Sequence, residues 1–474
     1  MSWPKIESIV ESLSSGQTTA TENVKLALSN IKKNSQYQTV ISTLDKEALE
    51  RAKLIDLDLL NNKKVAKLAG VPFIAKDNFL VFGAPTTAAS NILKGFHAPY
   101  QATAIDKLES EGAICVAKAN MDAFAHGSST ENSDFFVTKN PYDLERVAGG
   151  SSGGSAASVA LDIVPFSVGT DTGGSIRQPA SFCNVVGFKP SYGMVSRSGV
   201  IAMGSSLDTI GTFSKNIADT RYVMSIISGR DPLDSTTLDD SFKIVNKHQK
   251  MTLSKIKIGI IKEYLADDLN PDVKKVILSA INKIKRMGLV VDEVSVPSID
   301  LALSVYYVLC PAEVASNLSR YDGQRFGYSY LEASNLEDSY LKSRTIGFGD
   351  EAKTRIMIGT YVLSSGYYDA YYKKAQTVRT KLINDFNQVF KNYDFLIGPT
   401  VPDVAFKIGE KSSSKLEMYL NDIMTVAANL VGIPAISLPA GFVNNLPVGL
   451  QLMGQIGKDN QLLDFCQEIE ENIC

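Results

Sequence analysis

Gly149-Gly150-Ser151-Ser152-Gly153-Gly154-Ser155 is the densest glycine–serine run in the chain, and Asp171-Thr172-Gly173-Gly174-Ser175-Ile176-Arg177 follows it. Ser151 and Ser175 lie 24 residues apart. An isolated run of this composition reads as a flexible linker. Here the runs sit among the apolar segments 159–168 and 185–188, where a linker has no place. Two glycine-rich turns flanking a helix and a strand imply backbone shaped to approach something closely.

The texture around these turns sets the fold class. Short β-rich runs at 71–75, 113–117, 163–168, 256–261 and 289–291 alternate with helical patterns. Ala102, Ile105 and Leu108 make one helix face, and 155–161 reads as a helix. Val273, Val276, Ile277, Ala280, Ile281 and Ile284 make another apolar stripe. β-α-β alternation implies a largely parallel sheet covered by helices. The first 60 or so residues read as helices, with Thr19-Ala20-Thr21-Glu22 as a capping box. Residues 1–65 are therefore expected to pack, as a helical segment, on a catalytic unit spanning 66–474. The polar stretch 231–250 reads as a surface crossing. Residues 423–457 carry no charge, but Pro434, Pro439, Pro447 and interspersed glycines make buried strands and turns a better reading than a membrane span.

Composition bounds the function. Forty-eight basic and 51 acidic residues give a net charge of −3, which argues against nucleic acid as this chain's direct ligand. Five cysteines without a C-x-x-C spacing argue against a disulfide framework and a zinc site. The N-terminus lacks an apolar signal-peptide core, so a reducing cytoplasm is expected.

Acyl transfer needs a nucleophile, a base and oxyanion donors. Ser175 reads as the first residue of a helix, where the N–H groups of Thr172, Gly173, Gly174 and Ser175 can face a developing anion. Phosphate could use the same geometry, but neither a P-loop nor a G-x-G-x-x-G motif occurs. The G-x-S-x-G matches at 149–153 and 150–154 overlap and carry little weight. That motif's fold wants a histidine after the serine. His248, the one histidine so placed, lies in a polar surface stretch. Lys76, at the end of an apolar run, is the other candidate base. A surface lysine is the plain alternative, whereas burial would lower its pKa and free the amine to accept a proton.

Together, Ala75-Lys76-Asp77-Asn78, Gly149–Ser155 and 171–180 resemble the amidase signature family over nearly the whole chain. The resemblance implies a single α/β/α domain around a large mixed, mostly parallel sheet. It implies a nucleophile at Ser175, a bridging cis-serine at Ser151 and a base at Lys76, with no metal. Further stretches resemble one branch of the family, the A subunits of tRNA-dependent amidotransferases. They are Met121-Asp122-x-Phe124, 127–132, Arg320-Tyr321-Asp322-Gly323 and 363–368. This implies a glutaminase that supplies ammonia to a B subunit, with a small C subunit wrapping the pair. The B subunit would use ATP and Mg and bind the mischarged tRNA. Glutamine would meet Arg355 at its carboxylate and Asp422 at its ammonium, with Tyr306 and Ser128 lining the pocket. A free-standing amidase of another small amide, or a silent scaffold, are the rival expectations. Ala117, Ala123, His126, Ala148 and Ala427 depart from the branch's usual residues, and His126 is expected to be a satisfied core histidine.

Overall fold

The computed structural model describes residues 2–266, 269–411 and 414–473. Its strands are β1 (Val40–Thr43), β2 (Pro72–Lys76), β3 (Ile114–Ala119), β4 (Lys139–Asn140), β5 (Asp143–Val147), β6 (Phe166–Asp171) and β7 (Val186–Lys189). They continue as β8 (Thr209–Ser214), β9 (Lys257–Ile261), β10 (Val290–Val294), β11 (Phe395–Pro399), β12 (Ala435–Val443) and β13 (Leu446–Gly454). Eleven of them form one sheet in the order β1-β3-β2-β6-β8-β7-β12-β13-β11-β9-β10, and β4 and β5 pair separately.

The strand periodicity builds a layer on each side of β2. Phe73 and Ala75 join one core cluster with Ile105 and Leu108 of the helix Thr103–Ser110. Ile74, on the opposite face, joins another with Val24, Ala52 and Val159 from the helices Ala20–Lys33, Asp45–Leu60 and Gly153–Ala160. The helix Ala20–Lys33 opens on the expected capping box. In the helix Pro271–Arg286 the stripe Val273, Ile277, Ala280, Ile281 and Ile284 is buried, and Asn270 caps its first turn ahead of Pro271. Each such isoleucine contributes about 1.5–3 kcal/mol of burial.

The sheet is mixed, as expected, but not mostly parallel. Only β3–β2, β2–β6, β11–β9 and β9–β10 run parallel; the remaining six neighbour pairs are antiparallel. The parallel pairs come from the segments where helices alternate with strands. The antiparallel centre pairs strands that are mostly distant in sequence, β6 with β8, β8 with β7 and β7 with β12, and only β12 and β13 turn back directly. In the uncharged stretch 423–457, β12 and β13 form a hairpin closed by Asn444 (φ 49°) and Asn445 (φ 63°). Two consecutive left-handed residues make the tight turn that matches strand twist, and asparagine tolerates that conformation. Pro439 sits where the register of β12 shifts, the tolerated place for a proline within a sheet. The N-terminal segment is not helical throughout either: β1 adds to the sheet edge, antiparallel to β3.

One consequence of the topology positions the chemistry. β2 and β6 are parallel neighbours, with Ala75 beside Val168, so Lys76 and Thr170 emerge together at the carboxyl ends of both strands.

Candidate active site

Lys76 ends β2 fully buried. Its Nζ lies 2.7 Å from Ser151 Oγ, 3.0 Å from Thr170 Oγ1 and 3.5 Å from Thr170 O. No carboxylate forms an ion pair with it among the described residues. Burial lowers its pKa from 10.5 to about 7, against the upward pull of Asp122, Asp171 and Asp208.

Ser151 follows a cis Gly150–Ser151 peptide. Its carbonyl accepts from Asp122 N at 3.2 Å, and Gly150 N donates to Gln178 Oε1 at 2.8 Å. Gln178 Nε2 in turn donates to Ser128 O at 2.8 Å, so one side chain ties the Ser151 turn to the Ser128 loop. The glycine at 149 is required: its φ is +82°, and a Cβ there would stand 2.8 Å from Pro179 Cα.

Ser175 lies two residues ahead of the helix Arg177–Cys183 rather than within its first turn. It is 7% exposed, enough to meet a ligand. Ser152 N donates to Ser175 O at 3.3 Å, which brings the two serine turns together. The Ser175 hydroxyl has no hydrogen-bond partner among the described residues, so its link to Ser151 is not closed in this state. Of the four expected oxyanion donors, Gly174 N is turned inward onto Asp171 Oδ1 at 2.9 Å. Thr172 N, Gly173 N and Ser175 N donate to no acceptor among the described residues. Burial pushes the Asp171 carboxyl up, but Arg177, with Lys189 and Asn429, outweighs it and holds Asp171 at about 2. A permanent anion thus shapes this turn through Gly174 N and Ile176 N.

The residues expected to hold a zwitterion gather beside these turns. Arg355 is buried, bonds Glu351 through Nε at 2.8 Å and leaves Nη1 without a hydrogen-bond partner among the described residues. Its guanidinium stands over the Tyr307 and Tyr419 rings, at 5.5 and 5.7 Å from their centroids. Arg355, Ser128, Tyr307 and Tyr419 line a cavity of about 270 Å³. Asp422 accepts from Tyr307 Oη at 2.8 Å, and burial raises its pKa to about 7 despite Tyr307 and Arg355. Tyr306 covers the 172–175 turn, since a Cβ at Gly173 would stand 2.6 Å from its Cζ.

Thr170, Asn78, Tyr307 and Tyr419 are absent from the sequence-based set. The doublet Tyr306-Tyr307 inside an apolar helix is the one signal that could have pointed to Tyr307. His126 is buried as expected, but it is not satisfied: neither ring nitrogen has a hydrogen-bond partner among the described residues. Burial, and then Arg355, keeps it neutral. Cys115, Cys183, Cys310 and Cys466 are buried free thiols, and Cys474 lies outside the described residues.

Residues 22–463 match the family model described as Amidase. The chain is 48% identical over 439 residues to the A subunit of glutamyl-tRNA(Gln) amidotransferase from Sulfurihydrogenibium sp., covering 92% of this chain and 90% of the relative. It is 50% identical over 422 residues to the corresponding protein of Geobacillus thermodenitrificans, covering 89% and 87%. The crystal structure of the Thermotoga maritima counterpart superposes with a TM-score of 0.77 at 39% identity, covering 96% and 92%. The crystal structure of an amidase superposes with a TM-score of 0.83 at 27% identity, covering 99% of this chain and 100% of that one. With the family model spanning most of its length and relatives near half identity over nine-tenths of it, the chain belongs to the amidase family.

Proposed function

We propose that the protein hydrolyses the side-chain amide of glutamine through a Ser175 ester and supplies the ammonia to a tRNA-dependent amidotransferase. The observation that carries the reading is the buried Lys76 amine, held against the Ser151 hydroxyl with no ion-paired carboxylate among the described residues, so that burial outweighs the pull of Asp122, Asp171 and Asp208. Neutral Lys76 takes the Ser151 proton, and Ser151 takes the Ser175 proton. Ser175 Oγ bonds to the amide carbon as its carbonyl becomes an oxyanion facing the N–H groups of Thr172, Gly173 and Ser175. The relay returns a proton to the amide nitrogen, the C–N bond breaks, and ammonia departs. Water then cleaves the ester by the same route, releasing glutamate and free Ser175. Substrate binding closes the Ser151–Ser175 link, since catalytic hydrogen bonds often tighten only in the complex.

Glutamine specificity comes from charge pairing. Arg355 Nη1 offers its unused donor to the carboxylate. Asp422 receives the ammonium, with Tyr306, Tyr307 and Ser128 as walls. Ammonia in neutral water is mostly protonated and loses its nucleophilicity, so a producer gains from docking on its consumer. The partners are a B subunit that uses ATP and Mg, binds the mischarged tRNA and amidates Glu-tRNA(Gln) or Asp-tRNA(Asn), and a small C subunit. The relatives named as amidotransferase subunits support this, as does a net charge unsuited to holding tRNA. The setting is the cytoplasm, consistent with four buried free thiols.

Glutamine hydrolysis by Arg355→Ala, compared with hydrolysis of an amide lacking the α-carboxylate, tests the assignment. Loss confined to glutamine is expected. Equal kinetics on both substrates would return the protein to the free-standing amidases.

A further inference from the structure

A neutral amine that is to accept a proton has two N–H bonds and one lone pair, and in a flexible lysine nothing intrinsic aims that lone pair. Around Lys76 Nζ three oxygens are fixed: Ser151 Oγ at 2.7 Å, Thr170 Oγ1 at 3.0 Å and Thr170 O at 3.5 Å. Two of the three belong to one residue. We propose that Thr170, held by Asn78, is a positioning residue that aims the Lys76 lone pair at Ser151. The proposal rests on the reading of Lys76 as the base.

The Thr170 hydroxyl and carbonyl accept the two N–H bonds of the neutral amine. The lone pair is then left facing Ser151, from which the proton must come. Once the proton arrives, the ammonium has three hydrogens and finds the same three oxygens, so the proton transfer needs no reorganisation around Nζ. A carboxylate in place of the threonine hydroxyl would hold the lysine charged; a hydroxyl orients it without doing so.

Thr170 is itself held. Its hydroxyl accepts from Asn78 Nδ2 at 3.1 Å, and Asn78 is buried two residues beyond Lys76 on the same segment. Its carbonyl also accepts from Ser152 Oγ at 3.2 Å, beside the Ser151 turn. A β-branched residue on a strand has a restricted χ1, so the amide and the strand together leave the hydroxyl one place to be.

The charged groups acting on Lys76 are Asp122 in the loop after β3, Asp171 at the end of β6 and Asp208 before β8. None changes in a Thr170→Val variant. What valine removes is an acceptor that binds the ammonium more strongly than the neutral amine. Lys76 then holds its proton less tightly, and the acid limb of kcat moves to lower pH, by roughly half a unit to one unit. At the same time the plateau kcat falls at least about tenfold, because the lone pair is no longer aimed, while KM for glutamine stays.

The test is glutamine hydrolysis by the full chain with its partner subunits, followed as kcat and KM across the neutral pH range. Thr170→Val should show the paired loss and shift, Thr170→Ser should restore both, and Asn78→Ala should show both at reduced size. A wild-type profile in Thr170→Val overturns the proposal. So does a lowered plateau with an unmoved limb, the signature of mere structural damage. If Thr170→Val does not fold, a wild-type profile in Asn78→Ala overturns it equally. Turnover surviving in Lys76→Met would instead sink the base assignment beneath it.

Discussion

Lys76 ends β2, and Lys118 lies on β3 beside it, with Ala75 level with Lys118 and Lys76 level with Ala119. Both side chains are fully buried, one position out of step and so on opposite faces of the sheet. Lys118 Nζ meets Asp77 Oδ1 at 2.9 Å, Thr86 Oγ1 at 3.2 Å and Pro85 O at 3.4 Å. Asp77 is further bound by the N–H groups of Thr87 and Ala89 and by the Thr87 hydroxyl. Among the described residues Lys76 Nζ hydrogen-bonds only to two hydroxyls and a carbonyl. Consecutive residues, Lys76 and Asp77, therefore belong to two different chemistries. A carboxylate makes Lys118 half of a structural ion pair, whereas Lys76 has no such partner among the described residues and burial lowers its pKa to about 7.

The largest effect expected from this contrast is on turnover. Lys76→Met should lower kcat on glutamine by about 10⁴-fold, the scale on which removing one member of a serine hydrolase relay acts. Urea denaturation of the same variant should show little change, since a neutral amine leaves no stranded charge behind. Lys118→Met reverses the pattern. It strands the Asp77 carboxylate in the interior and should cost about 3–5 kcal/mol of stability. Adding Asp77→Leu should recover much of that loss. Equal destabilisation by the two single variants would break the comparison, because it would mean that Lys76 too is an ion-pair partner.

This contrast explains what could be read from the sequence and what could not. The glycine turns marked Ser151 and Ser175 as candidates, but Lys76 at the end of an apolar run read equally as a surface lysine, and the resemblance to the amidase signature family is what joined the three as an expected relay. The parallel flanks of the sheet were legible because helices alternate with strands at 71–168 and 256–291. The antiparallel centre was not: β7 and β8 are separated by a long loop, and β12 and β13 read only as uncharged sequence with prolines. Gly174 was assigned to the oxyanion donors because a glycine turn does not announce which N–H its neighbour's carboxylate will claim. Asp171 claims it, from the end of β6. Thr170, Asn78 and Tyr419 are ordinary residues in sequence and become informative only by distance.

The next largest effect is expected in the cavity lined by Arg355, proposed to hold the glutamine carboxylate. Arg355→Ala should raise KM for glutamine by roughly ten- to a hundredfold, the loss of one charge-assisted pair of about 1.5–3 kcal/mol, with a smaller effect on kcat. Arg355→Lys should recover only part, since an ammonium cannot reproduce the planar guanidinium beside the stacked Tyr307 and Tyr419 rings.

The smallest and most discriminating effect is in the pH dependence. Lys76 must be neutral to accept a proton, and burial brings its pKa to about 7, so kcat/KM should fall as pH drops below about 7. Asp422 must be ionised to hold an ammonium, and burial raises it to about 7 as well. Both groups therefore lose their working form in the same direction, on acidification. On glutamine the logarithmic slope below neutrality should exceed one and approach two. On an amide without the α-ammonium, Asp422 has nothing to bind and the slope should be one. Asp422→Asn should likewise bring the glutamine slope to one, at a higher KM. Activity that stays level well below neutrality would take the proton-accepting role from Lys76 and remove the distinction drawn between it and Lys118.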